Sequence, residues 1–371
     1  DYKGAMRPLF CLNNLILLSC FNTQIFDGLT MTTAKPRVAI LGGGSFGTVI
    51  ANLAASNGCL TTQWLRDVEL VAEMQATHEN TRYLKGFSLH PDLQFSTDLG
   101  QAVSEADLVF VAIPSKGFRQ VVQAAKPFLQ PKQMLISMTK GIEAGTFSLM
   151  SQIIREEVPD ARLGVLSGPN LAKEIAAKMP AGTVIASLDP ELRALAHQVL
   201  ACTYFRVFAN TDIYGVELSG ALKNIYAIAT GMAQAQKVGE NTRSMLLTRA
   251  LAEMSRFAVQ LGANPLTFLG LAGVGDLFAT CSSPLSRNYQ VGFALGSGKK
   301  LADIIADLEQ TAEGINTIQQ VKQQADKLGV YMPIVSGLYD IIYNERPIIE
   351  VVANMMDSGQ RSDVEFVLPN R

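Results

Sequence analysis

Short apolar runs alternate with stretches of helical spacing along the first half of the chain. They fall at 38–41, 61–65, 108–113, 134–138, 163–166 and 182–186. Brief continuous runs of this kind, bounded by turn-forming residues, read as strands covered on both faces. Strands that alternate with helices predict a doubly wound, mainly parallel α/β sheet. Beyond residue 211 the period changes. In 241–261, Leu247, Ala250, Leu251, Met254, Ala258 and Leu261 keep helical spacing, with Asn241 to cap the start and Gly262 and Pro265 to stop it. The stretch 216–231 is an apolar helix interrupted by Lys223 and Asn224. The expected organisation is a dinucleotide-binding domain over 31–211 and an all-helical domain over 212–371, joined near 209–212.

Between the first strand and the first helix, predicted over 48–56, lies LGGGSFG. Gly42, Gly44 and Gly47 have the spacing G-x-G-x-x-G, which is weak alone and gains its meaning from the strand before it and the helix after it. The first glycine permits a tight turn, the second lets backbone approach a pyrophosphate, and the third lets helix pack on strand. Amides at the helix start then face the negative charge. An acidic or basic residue about twenty positions further on distinguishes the two nicotinamide dinucleotides. Counting from Gly47 reaches Arg66 and Asp67. Arginine suits a 2′-phosphate and aspartate a free 2′-hydroxyl, so NADP(H) is favoured and NAD(H) stays open.

Length and charge narrow the field. At 371 residues the chain exceeds the size at which single cores stop growing, about 250–300 residues, so two domains are expected. A net charge of -2 from 31 basic and 33 acidic residues leaves no basic stripe for nucleic acid and favours small-molecule partners. The five cysteines are scattered without C-x-x-C spacing, which argues against a disulfide framework or a zinc site and for a reducing cytoplasm. His78, His90 and His197 are isolated, so no metal site or histidine triad is expected. Asp1 to Ala5 resemble the remnant of a tag, and the apolar stretch 9–20 is too short and too interrupted for a membrane span. Met31 is the expected natural start, with 1–30 a poorly ordered extension.

The chemistry concentrates around Lys223. Ser219, Gly220 and Ala227 share its helical face and would leave a shallow trough beside the ammonium. A lysine in such apolar surroundings is a candidate acid or base, whereas a solvated lysine would snorkel. Lys140, just past the run 134–138, is expected at the same cleft. A second cation and desolvation together lower a lysine pKa. Asp276, in Gly-Val-Gly-Asp, could orient the lysine or simply cap a helix. Ser286, Arg287 and Asn288 precede another helical stretch and can hold a phosphate through hydroxyl, guanidinium and helix amides.

Taken in order, LGGGSFGT, TKGIE, SGPNLAKEI, VELSGALKN and GLAGVGDLFATCSSPLSRN resemble the bacterial NAD(P)-dependent sn-glycerol-3-phosphate dehydrogenases, over residues from about 36 to about 347. The resemblance implies a Rossmann-type domain followed by a helical one, as in 6-phosphogluconate dehydrogenase. It also implies reversible reduction of dihydroxyacetone phosphate to sn-glycerol 3-phosphate for phospholipid synthesis. On that resemblance Lys223 is the proton donor or acceptor, Lys140 touches substrate and cofactor, and Asp276 completes the catalytic set. Gly168, Asn170, Ser286, Arg287 and Asn288 would contact substrate. Ser45, Phe46, Arg66, Ala172, Arg287 and Glu313 would contact nucleotide. Asn170 stands where serine or threonine is common in the family, and nothing before Met31 has a counterpart. A homodimer without stable membrane insertion is expected. The rival expectations are a β-hydroxyacid dehydrogenase of the same architecture, and a non-catalytic NAD(P)H sensor, which would need neither lysine nor Asp276.

Overall fold

The computed structural model describes residues 35–307 and 313–357. The tag-like start, the apolar stretch 9–20 and Met31 lie outside the described residues. Eight strands form one sheet: β1 (Arg37–Leu41), β2 (Leu60–Trp64), β3 (Gln94–Ser96), β4 (Leu108–Val111), β5 (Met134–Ser137), β6 (Arg162–Ser167), β7 (Ala181–Ala186) and β8 (Phe205–Asn210). Their order is β3-β2-β1-β4-β5-β6-β7-β8. All pairs are parallel except β6 with β7. The order reverses between β1 and β4, and at such a switch point a doubly wound sheet opens a crevice at its strand ends.

Each predicted run became a strand, and two strands were not anticipated. β3 is only three residues long, too short to show a period. β8 alternates instead, with Phe205 and Val207 buried and Arg206 and Phe208 exposed, as an edge strand with one covered face does. The central strands justify the reading of continuous apolar runs. In β1, Val38 and Ile40 join one core while Ala39 and Leu41 join the core on the opposite face, so every residue after Arg37 needs to be apolar.

The sheet ends at Asn210 and a helix spans Ile213–Ala235. Asp212 caps it by accepting from the Gly215 amide at 2.9 Å. Every residue from Gly215 to Met232 is buried, so this central helix forms the axis of the helical core rather than one of its walls. Its neighbour Arg287–Gly296 crosses it backbone to backbone. A β-carbon on Gly292 would collide with the Ile228 carbonyl, and one on Gly231 with that of Tyr289. The predicted helix 241–261 forms as Glu240–Gln260, but Asn241 does not cap it. Gly239, extended at φ -72 and ψ 166, takes the N-cap position without a side-chain bond, and Asn241 lies inside the first turn. Gly262 stops the helix as expected, at φ +91.

Candidate active site

The glycine loop closes β1 onto the helix Ser45–Ser56, which starts inside the loop, earlier than its apolar pattern suggested. Gly42 has φ +124, its amide bonds to Trp64 O at 2.9 Å, and a β-carbon there would strike the Ala112 carbonyl. At Gly47 a β-carbon would stand 2.7 Å from Gly42 O and 3.2 Å from Ala112 Cβ. Gly44 differs: a β-carbon there would meet nothing within 4 Å. Protein packing therefore explains Gly42 and Gly47, while Gly44 faces open space at a helix start that no side chain caps. That is the condition for a pyrophosphate to approach.

A buried polar brace, absent from the expectations, holds the loop from behind. Gln63 donates to Gly42 O at 2.9 Å and to Thr48 Oγ1 at 3.1 Å. Asn80 donates to Gly43 O and to Thr48 Oγ1, both at 2.9 Å. A glutamine inside an apolar strand was the visible signal for the first of these. Past β2, Arg66 is exposed and Asp67 caps the helix Val68–Thr77, accepting from Leu70 N at 3.0 Å and from Arg82 Nη1 at 2.6 Å. The Leu70 amide and then Arg82 hold the Asp67 carboxyl below its ordinary value.

A cavity of about 1360 Å³ runs from this loop to the helical half. Its walls include Gly42, Gly44, Ser45, Phe46, Gly47 and Arg66 at one end. At the other stand Lys140, Asn170, Lys223, Ser286, Arg287, Asn288 and Glu313. Asp276 lies behind that wall, 1% exposed. Gly168 reaches the cluster through its backbone. Ala172 stands apart, packed against the sheet core at the start of the helix Ala172–Ala176.

Asp276 begins the helix Asp276–Ser282 and lies between two ammonium groups. Lys140 Nζ donates to its Oδ2 at 2.6 Å and to Gly168 O at 2.8 Å. Lys223 Nζ donates to its Oδ1 and, at 2.6 Å, to Thr280 Oγ1. Burial pushes the Lys223 ammonium down to about 7 from its ordinary 10.5; Asp276 opposes the shift and Lys140 adds to it. With both lysines protonated, one carboxylate leaves the cluster net positive, a setting for an oxyanion.

The shallow trough expected beside Lys223 is filled. A β-carbon on Gly220 would lie 2.6 Å from Ser167 Oγ and 3.5 Å from Lys140 Cγ, so this glycine admits the second lysine. Ser219 donates to Ala272 O at 2.8 Å, and Ala227 is in the core. Thr280 escaped sequence reasoning, although its place four residues after Asp276 puts it on the same helical face.

Ser286 caps the helix Arg287–Gly296, accepting from Tyr289 N at 3.4 Å. Asn288 accepts from Gly314 N at 3.1 Å, and Arg287 is exposed at the rim. Asn170 donates to Thr183 Oγ1 at 3.0 Å, while its own Oδ1 is buried without a partner. Glu313 accepts from both the amide and the hydroxyl of Ser115 at 3.2 Å, and burial raises its carboxyl. Asn224, the second polar break in the apolar helix, and Ser115, just past the run 108–113, also line the cavity; the sequence marked both positions without giving either a role.

A sheet of this order, with a glycine loop at its first turn and a helical half closing over the strand ends, defines the class of dinucleotide-dependent dehydrogenases. Residues 37–193 match the family described as NAD-dependent glycerol-3-phosphate dehydrogenase N-terminus, and residues 212–353 its C-terminus. The chain is 60% identical over 334 residues to a glycerol-3-phosphate dehydrogenase (NAD(P)+) of Acinetobacter baylyi, covering 90% of this chain and 93% of the relative. A protein of the same name from Ectopseudomonas mendocina is 56% identical over 337 residues, 91% of this chain and 98% of the other. Among solved structures, glycerol-3-phosphate dehydrogenase of Coxiella burnetii superposes with a TM-score of 0.83 at 34% identity, over 87% of this chain and 99% of that one. The chain belongs to the NAD-dependent glycerol-3-phosphate dehydrogenase family.

Proposed function

We propose that the protein reversibly reduces dihydroxyacetone phosphate to sn-glycerol 3-phosphate with NADPH or NADH, supplying glycerophospholipid synthesis. The observation that carries this reading is the buried Asp276 carboxylate shared by Lys140 and Lys223, the two lysines lining the cavity at the end away from the glycine loop. The glycine loop fits a dinucleotide, since Gly44 alone of its three motif glycines faces open space. Ser45, Phe46, Gly47 and Arg66 would hold it there, with Glu313 and Arg287 at the other end. The nicotinamide, when bound, supplies the hydride.

The side chains supply the rest. As the ketone carbon is reduced, negative charge grows on its oxygen, and Lys223 donates a proton to that oxygen. Lys140 stabilises the developing alkoxide, and Asp276 orients both ammonium groups. Thr280 holds Lys223 from the other side. Lys223 is only 6% exposed, so the proton is transferred where water is scarce. Ser286, Arg287 and Asn288 bind the phosphate away from the reacting carbon and so convert binding energy into orientation. Asn170 Oδ1, buried and unpartnered, is an acceptor for a substrate hydroxyl beside Gly168. Ala172, at the start of its short helix, would contact the nucleotide.

The functional division falls at 211–212, where strands give way to helices. The setting is the cytoplasm and the assembly a homodimer. Cys59, Cys202 and Cys281 are free thiols, which supports a reducing setting; no helix among the described residues is long and apolar enough to cross a membrane. Family membership favours the phosphorylated ketone over a hydroxyacid. The test is the loss of NADPH absorbance on adding dihydroxyacetone phosphate, repeated with NADH and with unphosphorylated dihydroxyacetone. Oxidation only with the phosphorylated ketone is expected; none with it would defeat the reading.

A further inference from the structure

A segment that the strand and helix pattern leaves unassigned carries a second arginine to the mouth of the glycine loop. Asn80, wholly buried, donates to Gly43 O and Thr48 Oγ1. Its Oδ1 accepts from Tyr83 N at 3.0 Å and its carbonyl from Leu84 N at 2.8 Å. Leu84, 1% exposed, anchors the same turn in the sheet core. The turn is thus bonded to the backbone of the loop it faces, and the position of Arg82 is set with it. Arg82 is exposed along 57% of its side chain, lines the same cavity as Arg66, and donates Nη1 to Asp67 at 2.6 Å.

Both carboxylate oxygens of Asp67 are engaged, Oδ1 by the Leu70 amide and Oδ2 by Arg82. An acidic residue past the second strand ordinarily selects a free ribose 2′-hydroxyl and repels a 2′-phosphate. Here its charge is offset by Arg82, whose planar guanidinium has five donors and gives one to Asp67 in this contact. Arg66 stands next to Asp67 in the chain, is exposed, and makes no hydrogen bond or ion pair among the described residues.

We propose that Arg82 is a specificity-determining residue, which together with Arg66 clamps the 2′-phosphate of NADPH while its pairing with Asp67 removes the repulsion that aspartate would exert. The inference rests on the nucleotide-binding reading above and adds to it the residue that chooses between the two dinucleotides. NADH, lacking the phosphate, does not use Arg82.

The test is fluorescence titration of the full chain with NADPH and with NADH, without ketone, for the unaltered protein, Arg82→Gln, Arg66→Gln and Asp67→Asn, with thermal unfolding of each. Loss of one charge-assisted contact is expected to weaken NADPH about tenfold in Arg82→Gln and to leave NADH within about twofold. Asp67→Asn keeps a competent helix cap and is expected to bind NADPH at least as tightly as before. Equal weakening of both nucleotides by Arg82→Gln, or of neither, would overturn the clamp. If the unaltered protein bound neither nucleotide, the clamp and the dehydrogenase reading would fall together. Selective NADPH binding without turnover of dihydroxyacetone phosphate would defeat the substrate assignment alone.

Discussion

Lys140 Nζ stands 2.6 Å from Asp276 Oδ2, although 136 residues separate the two in the chain. Lys140 follows the end of β5 and Asp276 opens a helix of the other half, so this contact joins the sheet to the helical core at the site. The second oxygen of the same carboxylate takes Lys223. A buried carboxylate between two ammonium groups ties the three together, because deleting Asp276 would leave the charge of both lysines uncompensated.

Lys223→Met preserves side-chain length and removes the proton. Reduction of dihydroxyacetone phosphate should fall by about 10²–10⁴-fold in kcat, the usual range for loss of a general acid. NADPH affinity, read by fluorescence, should change little. Turnover equal to that of the unaltered protein would remove the lysine from the chemistry.

The lowered Lys223 value gives a pH dependence with a definite sign. Reduction needs the ammonium, which is present below about 7 and lost above it, so kcat/KM for reduction should decline as pH rises through that value. Oxidation of sn-glycerol 3-phosphate needs the free amine and should rise over the same window. Profiles that share one limb in both directions would count against this assignment.

Gly44→Ala and Gly42→Ala separate ligand space from protein packing. A methyl group at Gly44 meets nothing in the protein, so that variant should unfold at the same temperature as the original and lose nucleotide binding. At Gly42, φ +124 and the Ala112 carbonyl oppose any side chain, and the melting temperature itself should drop. Undiminished NADPH binding by Gly44→Ala would mean that the pyrophosphate lies elsewhere.

Arg287→Ala should raise KM for dihydroxyacetone phosphate by about tenfold or more, the effect of losing a charged contact to phosphate. Its kcat should change less. An unaltered KM would detach Arg287 from substrate.

Glu253 bears on stability rather than catalysis. It accepts from Ile334 N at 2.6 Å, from Val335 N at 3.4 Å and from Tyr226 Oη at 3.2 Å. Burial nonetheless pushes its carboxyl up to about 8 from 4.5. A raised folded value means that the native state keeps a proton that the unfolded chain releases, so this group's contribution to stability is complete below 4.5 and is lost as pH rises towards 8. The slope is at most about 1.4 kcal/mol per pH unit. Glu253→Gln should flatten the fall of Tm across that window, and parallel Tm curves for the two proteins would refute the assignment.

Much of the fold was legible because its signals are local. A buried parallel strand needs apolar residues on both faces, so the six runs stood out without any knowledge of their neighbours. The order of strand, glycine loop and helix could be read for the same reason, as could Lys223 as a charge set in an apolar helix. Asn241 looked like a cap because its residue type favours one, but the chain enters the helix extended at Gly239, and the backbone path decided otherwise.

The sequence by itself determined the alternating α/β half, the helical half, the glycine loop and the residue types from which a site could be built. Only the tertiary structure decided which of them meet. It brought Lys140, Lys223 and Asp276 together, recruited Thr280, admitted Lys140 through the missing side chain of Gly220, made Asp67 a helix cap paired with Arg82, and set Asn80 against the glycine loop. The physical reason is range. Periodicity and turn chemistry act within a few residues, whereas the pairing of a carboxylate with lysines 53 and 136 residues away is dictated by how two cores close on each other and by the cost of leaving a buried charge alone.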